Sequence, residues 1–226
     1  MWPILRGSQA ITLDMYEAPI KSISWIPEMS LLVTRSWDRT LKCYTMSIRH
    51  PLMVVATTDR NIVVCNLASP QTEFKRIPSP MKYQTRCVST FPGKEGFLVG
   101  SIEGRVAVQH IDEAQQSKNF ILINSIDFHH ICFFFHSVYG TFATSGSDGA
   151  FNSWDKDSKQ RLKSMQQCNQ PIPCSTFNHD GTNFAYAIYT GAENHNPAQA
   201  RNYILLYSTQ DFEVKAKAQV ATSGRK

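Results

Sequence analysis

The chain is poor in the features that mark enzymes, metalloproteins and membrane proteins. Its 226 residues contain no HExxH, no GxSxG and no phosphate-cradling Walker loop, so zinc-protease, serine-hydrolase and P-loop chemistry have no foothold. Six cysteines occur, at 43, 65, 87, 132, 168 and 174, but no CxxC pairs them as metal ligands would be paired. His129, His130 and His136 cluster without regularly spaced carboxylates to orient them, which argues against a metal. The N-terminus MWPILRGSQ has no basic segment leading into an apolar one, so a secretory signal is not expected and reduced thiols in an intracellular chain are. No apolar run reaches the roughly 18 residues a membrane span needs, and no membrane insertion is expected. Charge of one sign is also scarce: 23 Lys and Arg against 18 Asp and Glu leave +5, which permits an anionic partner without demanding one.

What is abundant is apolar and aromatic residue, at 42% and 11%, enough for a packed interior of β type. Four segments superimpose on a shared acid: LLVTRSWDRTLKCY (31–44), LMVVATTDRNIVVC (52–65), GFLVGSIEGRVAVQ (96–109) and TFATSGSDGAFNSW (141–154). Each runs from an apolar strand to a turn at Asp38, Asp59, Glu103 or Asp148, then resumes an apolar strand. Asp59 and Glu103 lie 44 residues apart, and Glu103 and Asp148 lie 45 apart. A period of about 40–45 residues with four strands per unit is the mark of a propeller blade. The fourth copy ends in Trp154-Asp155, the dipeptide that names the WD repeat, and Tyr44 stands at the matching distance from Asp38. The expected fold is therefore all-β, an incomplete WD-repeat β-propeller of about four to five blades over 1–212, followed by a basic, disordered tail over 213–226. The four turn acids are expected to be structural, accepting hydrogen bonds that fix strand pairs.

Innermost strands are expected at KSISWI (21–26), RCVSTF (86–91), NSIDFH (124–129) and CSTFNH (174–179). The regularity fails at two places. Asp38 and Asp59 are only 21 residues apart, half a blade, which implies missing residues between Lys42 and Met53. The run His130-Ile131-Cys132-Phe133-Phe134-Phe135-His136 falls where a short turn is expected; as an apolar loop it reads either as a binding loop or, in preference, as a gene-model or splicing artefact.

Taken together, RSWDRTLK, LASPQTEFKRIPSPMKYQTRCV, GFLVGSIEGRVAV, GTFATSGSDGAFNSWDKDSKQRLK, QPIPCSTFNHDGTNFAYA and GAENHNP resemble the messenger-RNA export factors of the Rae/Gle type, plant members most of all. That family is a seven-bladed propeller with a longer N-terminus. The resemblance implies a non-enzymatic scaffold at the nuclear pore, without cofactor or small-molecule substrate. Such a scaffold docks a short nucleoporin motif and contacts single-stranded RNA or messenger ribonucleoprotein. It also implies an RNA- or partner-binding set comprising Arg105, Trp154, Asp155, Lys156, Lys159 and Arg161. The chain departs from the family at Cys43-Tyr44 and at Tyr189-Thr190-Gly191, which leaves ring closure open. Two other propeller roles compete: a ubiquitin-ligase substrate receptor, whose WDxR sequence is Trp154-Asp155-Lys156-Asp157 here, and the related mitotic-checkpoint propeller.

Overall fold

The structure is a computed structural model. It describes residues 12, 15, 17–36, 43–70, 72–123, 131–188 and 202–216. The chain divides into two compact units, Met1–Cys43 and Tyr44–Lys226, taken separately below.

In the first unit, β1 (Ile20–Ile26) pairs antiparallel with β2 (Leu31–Ser36). The tight connection is a 3-10 turn over Pro27–Met29, with Pro27 presetting the first turn and Ser30 taking a left-handed φ of 50°. Ser36 Oγ donates to the Ala18 carbonyl at 2.8 Å and ties the hairpin to the segment before it. Asp38 and Leu41 lie outside the described residues.

The second unit repeats one motif. Three four-stranded antiparallel sheets follow one another: β3 (Cys43–Arg49), β4 (Leu52–Thr57), β5 (Asn61–Asn66) and β6 (Glu73–Pro78); then β7 (Thr85–Thr90), β8 (Gly96–Ser101), β9 (Arg105–His110) and β10 (Phe120–Ile123); then β11 (Ile131–Phe135), β12 (Phe142–Gly146), β13 (Phe151–Asp155) and β14 (Gln160–Ser164). A three-stranded sheet completes the series, of β15 (Ser175–Phe177), β16 (Asn183–Ile188) and β17 (Tyr203–Ser208). In each four-stranded sheet the spatial order is the chain order, the up-and-down arrangement of a propeller blade.

Local chemistry explains why the middle hairpins recur. The turns between second and third strands carry Asp59-Arg60, Glu103-Gly104 and Asp148-Gly149, and the residue after each acid has positive φ, at 62°, 71° and 75°. Glycine meets that demand without strain at two of the three. At Gly149 it is doubly required, because a Cβ there would sit 2.2 Å from the Cys168 carbonyl oxygen.

The sheets are held face to face by apolar layers. Val54, Ile62 and Val64 meet Val88, Phe97 and Val99 between the first two four-stranded sheets. Phe91, Leu98, Val106 and Val108 meet Phe133, Phe142 and Trp154 between the second and third. Ala143 and Phe151 meet Ile172 and Phe184 between the third and the last. Burying one such side chain contributes about 1.5–3 kcal/mol, so these layers dominate the stability.

Two sequence expectations change here. The Phe-rich run is no loop: Ile131–Phe135 is β11, paired with β12 from Ile131↔Gly146 to Phe135↔Phe142. It takes the innermost place expected for 124–129, residues that lie outside those described. The run forms a strand because its alternate side chains have somewhere to go: Phe133 is 4% exposed and packs in the layer against the second sheet. Tyr44 is likewise not the counterpart of Trp154. It lies in β3, the first strand of the β3–β6 sheet, whereas Trp154 lies in β13, the third strand of its own. After β17 comes a short helix, α1 (Asp211–Val214), in which Glu213 and Val214 are buried; residues 217–226 lie outside those described.

Candidate nucleic-acid and partner interface

The three described turn acids occupy the same corner of successive sheets but in different electrostatic settings. Asp59 accepts hydrogen bonds from Thr57 Oγ1 and, at 2.8 Å, from Asn61 Nδ2, and these hold its carboxyl below the usual range. Asp148 accepts from the Ala150 amide at 2.8 Å, yet burial outweighs that bond and raises its pKa. Glu103 faces Arg105, with 3.4 Å between Arg105 Nε and Glu103 Oε2.

The third four-stranded sheet supplies the remaining candidates from one strand and the turn after it. Trp154 is 8% exposed and donates through Nε1 to Thr144 Oγ1 at 2.9 Å, so its indole is a wall of the interior with its polar atom satisfied. Asp155, 5% exposed, accepts from the amides of Asp157 and Ser158 at 3.0 and 3.2 Å and thereby closes the β13–β14 turn. Both residues build the surface from beneath.

The basic residues divide into two groups. Lys156 is folded inward: its ammonium lies 3.3 Å from Glu95 and 2.8 Å from Asp157, and 5.2 Å from the centre of the Phe91 ring. Burial alone lowers its pKa, but Asp157 and Glu95 reverse the sign and keep it raised, so it is a charged, already satisfied pin between sheets. Lys159 and Arg161 are exposed. Lys159 stands 5.2 Å from the Phe120 ring centre, and the Arg161 guanidinium stands 5.9 Å from the indole of Trp154. Two exposed cations beside aromatic faces is an arrangement suited to phosphates with neighbouring bases. Lys163, next along β14, turns toward Phe212 and Glu213.

Arg105 does not join them. It begins β9, while Glu95, the partner of Lys156, precedes β8 at the end where Gly96 pairs with His110. The length of a six-residue strand, roughly 20 Å, separates the two ends. The expected set is thus one cluster on the β13–β14 turn plus a distant arginine.

Sequence reading missed a groove of about 850 Å³ between the first two four-stranded sheets, lined among others by Leu52, Phe74, Lys75, Glu95, Ile111 and Glu113. Lys75 crosses it to the Ile111 carbonyl and to Glu113, at 3.1 and 3.2 Å, and Phe74 on the outer strand is 62% exposed. Its sequence signal is weak, an isolated Phe in a polar outer strand. Among the described residues no group of three or more His, Cys, Asp or Glu is placed to hold a metal ion; His129 and His130 lie outside them. No described helix is long and apolar enough to cross a membrane.

No family model matches the chain. Comparison with curated proteins finds relatives with consistent names. Protein RAE1 of Arabidopsis thaliana is 61% identical over 200 residues, which are 82% of this chain and 55% of the relative. The chain thus spans about half the length of that relative. The Poly(A)+ RNA export protein of Schizosaccharomyces pombe is 42% identical over 245 residues, covering 94% of this chain and 70% of the relative. The mRNA export factor of Mus musculus is 39% identical over 253 residues, covering 91% of this chain and 66% of the relative. The yeast and mouse alignments are longer than the 226-residue chain, so these relatives carry internal residues without counterpart here. With that identity across more than two thirds of a relative, and with successive four-stranded sheets on the blade period, the chain belongs to the family of Rae/Gle-type mRNA export factors.

Proposed function

We propose that the protein is a non-enzymatic β-propeller scaffold in the export of messenger RNA from the nucleus. It acts at the nuclear pore, where it docks a short nucleoporin motif and contacts single-stranded RNA. Family membership carries the export role. For the RNA contact the supporting observation is the pair of exposed cations, Lys159 and Arg161, set against the Phe120 and Trp154 rings. Phosphate contacts are electrostatic and release counterions, so each should leave its trace in the salt dependence. Lys156, already neutralised by two carboxylates, and Arg105, a strand's length away, are secondary in this reading.

The test is binding of single-stranded RNA by Lys159→Glu/Arg161→Glu across a salt series, alongside pull-down with a nucleoporin fragment bearing the docking motif. Loss of two phosphate contacts should flatten the log–log salt slope by about 1.4. An unchanged slope removes this turn from RNA contact. Capture of a ubiquitin-ligase adaptor or of kinetochore kinases in place of the nucleoporin fragment overturns the export assignment.

A further inference from the structure

Four of the six cysteines recur on the blade period, a regularity hidden by the absence of any short cysteine motif. Cys43 and Cys87 are 44 residues apart, Cys87 and Cys132 are 45 apart, and Cys132 and Cys174 are 42 apart. Cys43 opens β3, Cys87 lies in β7, Cys132 in β11, and Cys174 stands immediately ahead of β15. Each therefore comes at the innermost strand of its sheet. Innermost strands of neighbouring sheets lie side by side, with β11 in contact with both β7 and β15.

Within this row Cys132 and Cys174 are disposed to meet. Cys132 Sγ donates to the Pro173 carbonyl oxygen at 3.1 Å. That oxygen is one peptide unit from Cys174 and lies roughly 3 Å from its Cα. The Cys132 sulfur is therefore within about 6 Å of the Cys174 Cα, close to the range in which two cysteines bridge with small side-chain rotations. Cys174 stands immediately ahead of β15 with its carbonyl held by the Ala187 amide at 3.0 Å, and its exposed side chain can rotate without moving that backbone. Neither thiol is in a disulfide; Cys174 is exposed and Cys132 half-buried.

We propose that Cys132 and Cys174 form a reversible disulfide that staples β11 to the segment ahead of β15 when the protein meets a two-electron oxidant such as hydrogen peroxide. The exposed Cys174 reacts first: its thiolate attacks a peroxide oxygen, the O–O bond breaks, and the leaving hydroxide takes up the thiol's proton to become water. Cys174 is then a sulfenic acid. The Cys132 sulfur attacks the sulfenic sulfur, the S–S bond forms, the S–O bond breaks, and the hydroxyl leaves as water with the Cys132 proton. Two thiols lose two electrons, and one peroxide becomes two waters. Burial, with Cys174 nearby, raises the Cys132 pKa to about 11, which suits it to the second step and not the first.

The experiment treats the whole wild-type chain with peroxide, alkylates the remaining thiols, and maps non-reduced peptides by mass spectrometry. The expected result is loss of two alkylatable thiols out of six, one cross-linked peptide pair containing Cys132 and Cys174, and full recovery with dithiothreitol. A Cys132→Ser chain should instead carry sulfenic or sulfinic acid at Cys174. Pairing of Cys174 with any other cysteine overturns the proposal. So does a disulfide-linked dimer on a non-reducing gel, or over-oxidation of Cys174 while Cys132 stays alkylatable. The outcomes that overturn the proposal are read on the unaltered protein and do not depend on the Cys132→Ser chain folding.

Discussion

Lys156 keeps only 12% of its side chain exposed, because Glu95 of the neighbouring sheet and Asp157 of its own turn hold the ammonium over the Phe91 ring. Removing the cation leaves Glu95, itself 32% exposed, short of a partner next to an apolar layer. Lys156→Ala should therefore lower the free energy of unfolding by about 1–2 kcal/mol, read from urea denaturation. Lys159, three residues on, is exposed and takes a left-handed φ of 58°, a conformation that side chains resist. Lys159→Gly should leave stability unchanged or raise it by up to about 1 kcal/mol while removing the charge, which separates backbone from binding effects. His136 makes the residue-scale case for pH. It is buried, accepts the amides of Val138 and Tyr139 at Nδ1, at 3.3 and 3.2 Å, and so donates from Nε2 to the Gly181 carbonyl at 3.1 Å. Burial holds its pKa below 6.5, against the opposing pull of that carbonyl and of Asp211 and Asp180, the acids that face it from the neighbouring segments. The folded state thus favours the neutral ring. Between the folded and unfolded pKa values the unfolded chain binds more protons, so this stabilisation is complete above pH 6.5 and is lost as pH falls below it. Urea midpoints measured from pH 8 to pH 5 should stay level and then decline. His136→Gln should start lower and lack that part of the decline.

At the scale of the strand, β11 distinguishes pattern from chemistry. Phe133 is 4% exposed and packs beside Phe142 and Trp154, whereas Phe134, its neighbour on the other face, is 36% exposed. Phe133→Ala should cost about 3–5 kcal/mol and Phe134→Ser less than about 1, and chemical denaturation of the pair should show that asymmetry. Equal costs would mean that the strand is not in this register. The run was illegible in the sequence because five consecutive apolar residues carry no alternation; an innermost strand hemmed between sheets does not need one. By contrast, the hairpins at Asp59, Glu103 and Asp148 were legible, since each couples an acid to a residue in the left-handed region, with strands rich in apolar residues on both sides. Counting from such corners also explains the error at Tyr44. Spacing alone matched it to Trp154, but Tyr44 lies in the first strand of its sheet and Trp154 in the third. The basic turn was legible as charge and not as geometry: nothing in WDKDSKQR reveals that its first lysine is consumed by Glu95, 61 residues earlier.

Among the described residues of the second unit, the apolar layers lie between neighbouring sheets, as in a linear array whose stability is a sum of units and interfaces. The sheet β7–β10 has an apolar layer on each face, and so has β11–β14. The last sheet, β15–β17, has one, and on its outer strand Ile204 and Leu206 are 78% and 74% exposed. Besides that layer, the sheet is held by the Ser145–Ser175 hydroxyl pair at 2.8 Å, by the His136–Gly181 hydrogen bond and by a C-terminal clasp. Tyr207 donates to both oxygens of Glu213 at 2.9 and 3.0 Å, and Thr141 Oγ1 donates to the Val214 carbonyl at 2.5 Å. Amide hydrogen exchange should therefore be graded, slowest in β8, β9, β12 and β13 and distinctly faster in β16 and β17. Tyr207→Phe leaves the ring in the layer but releases Glu213, buried and acidic, and should speed exchange in β16, β17 and α1 with no change in β8 and β9. Acceleration across all four sheets at once would mean that they open as one unit, and the picture of separable neighbouring interfaces would fail.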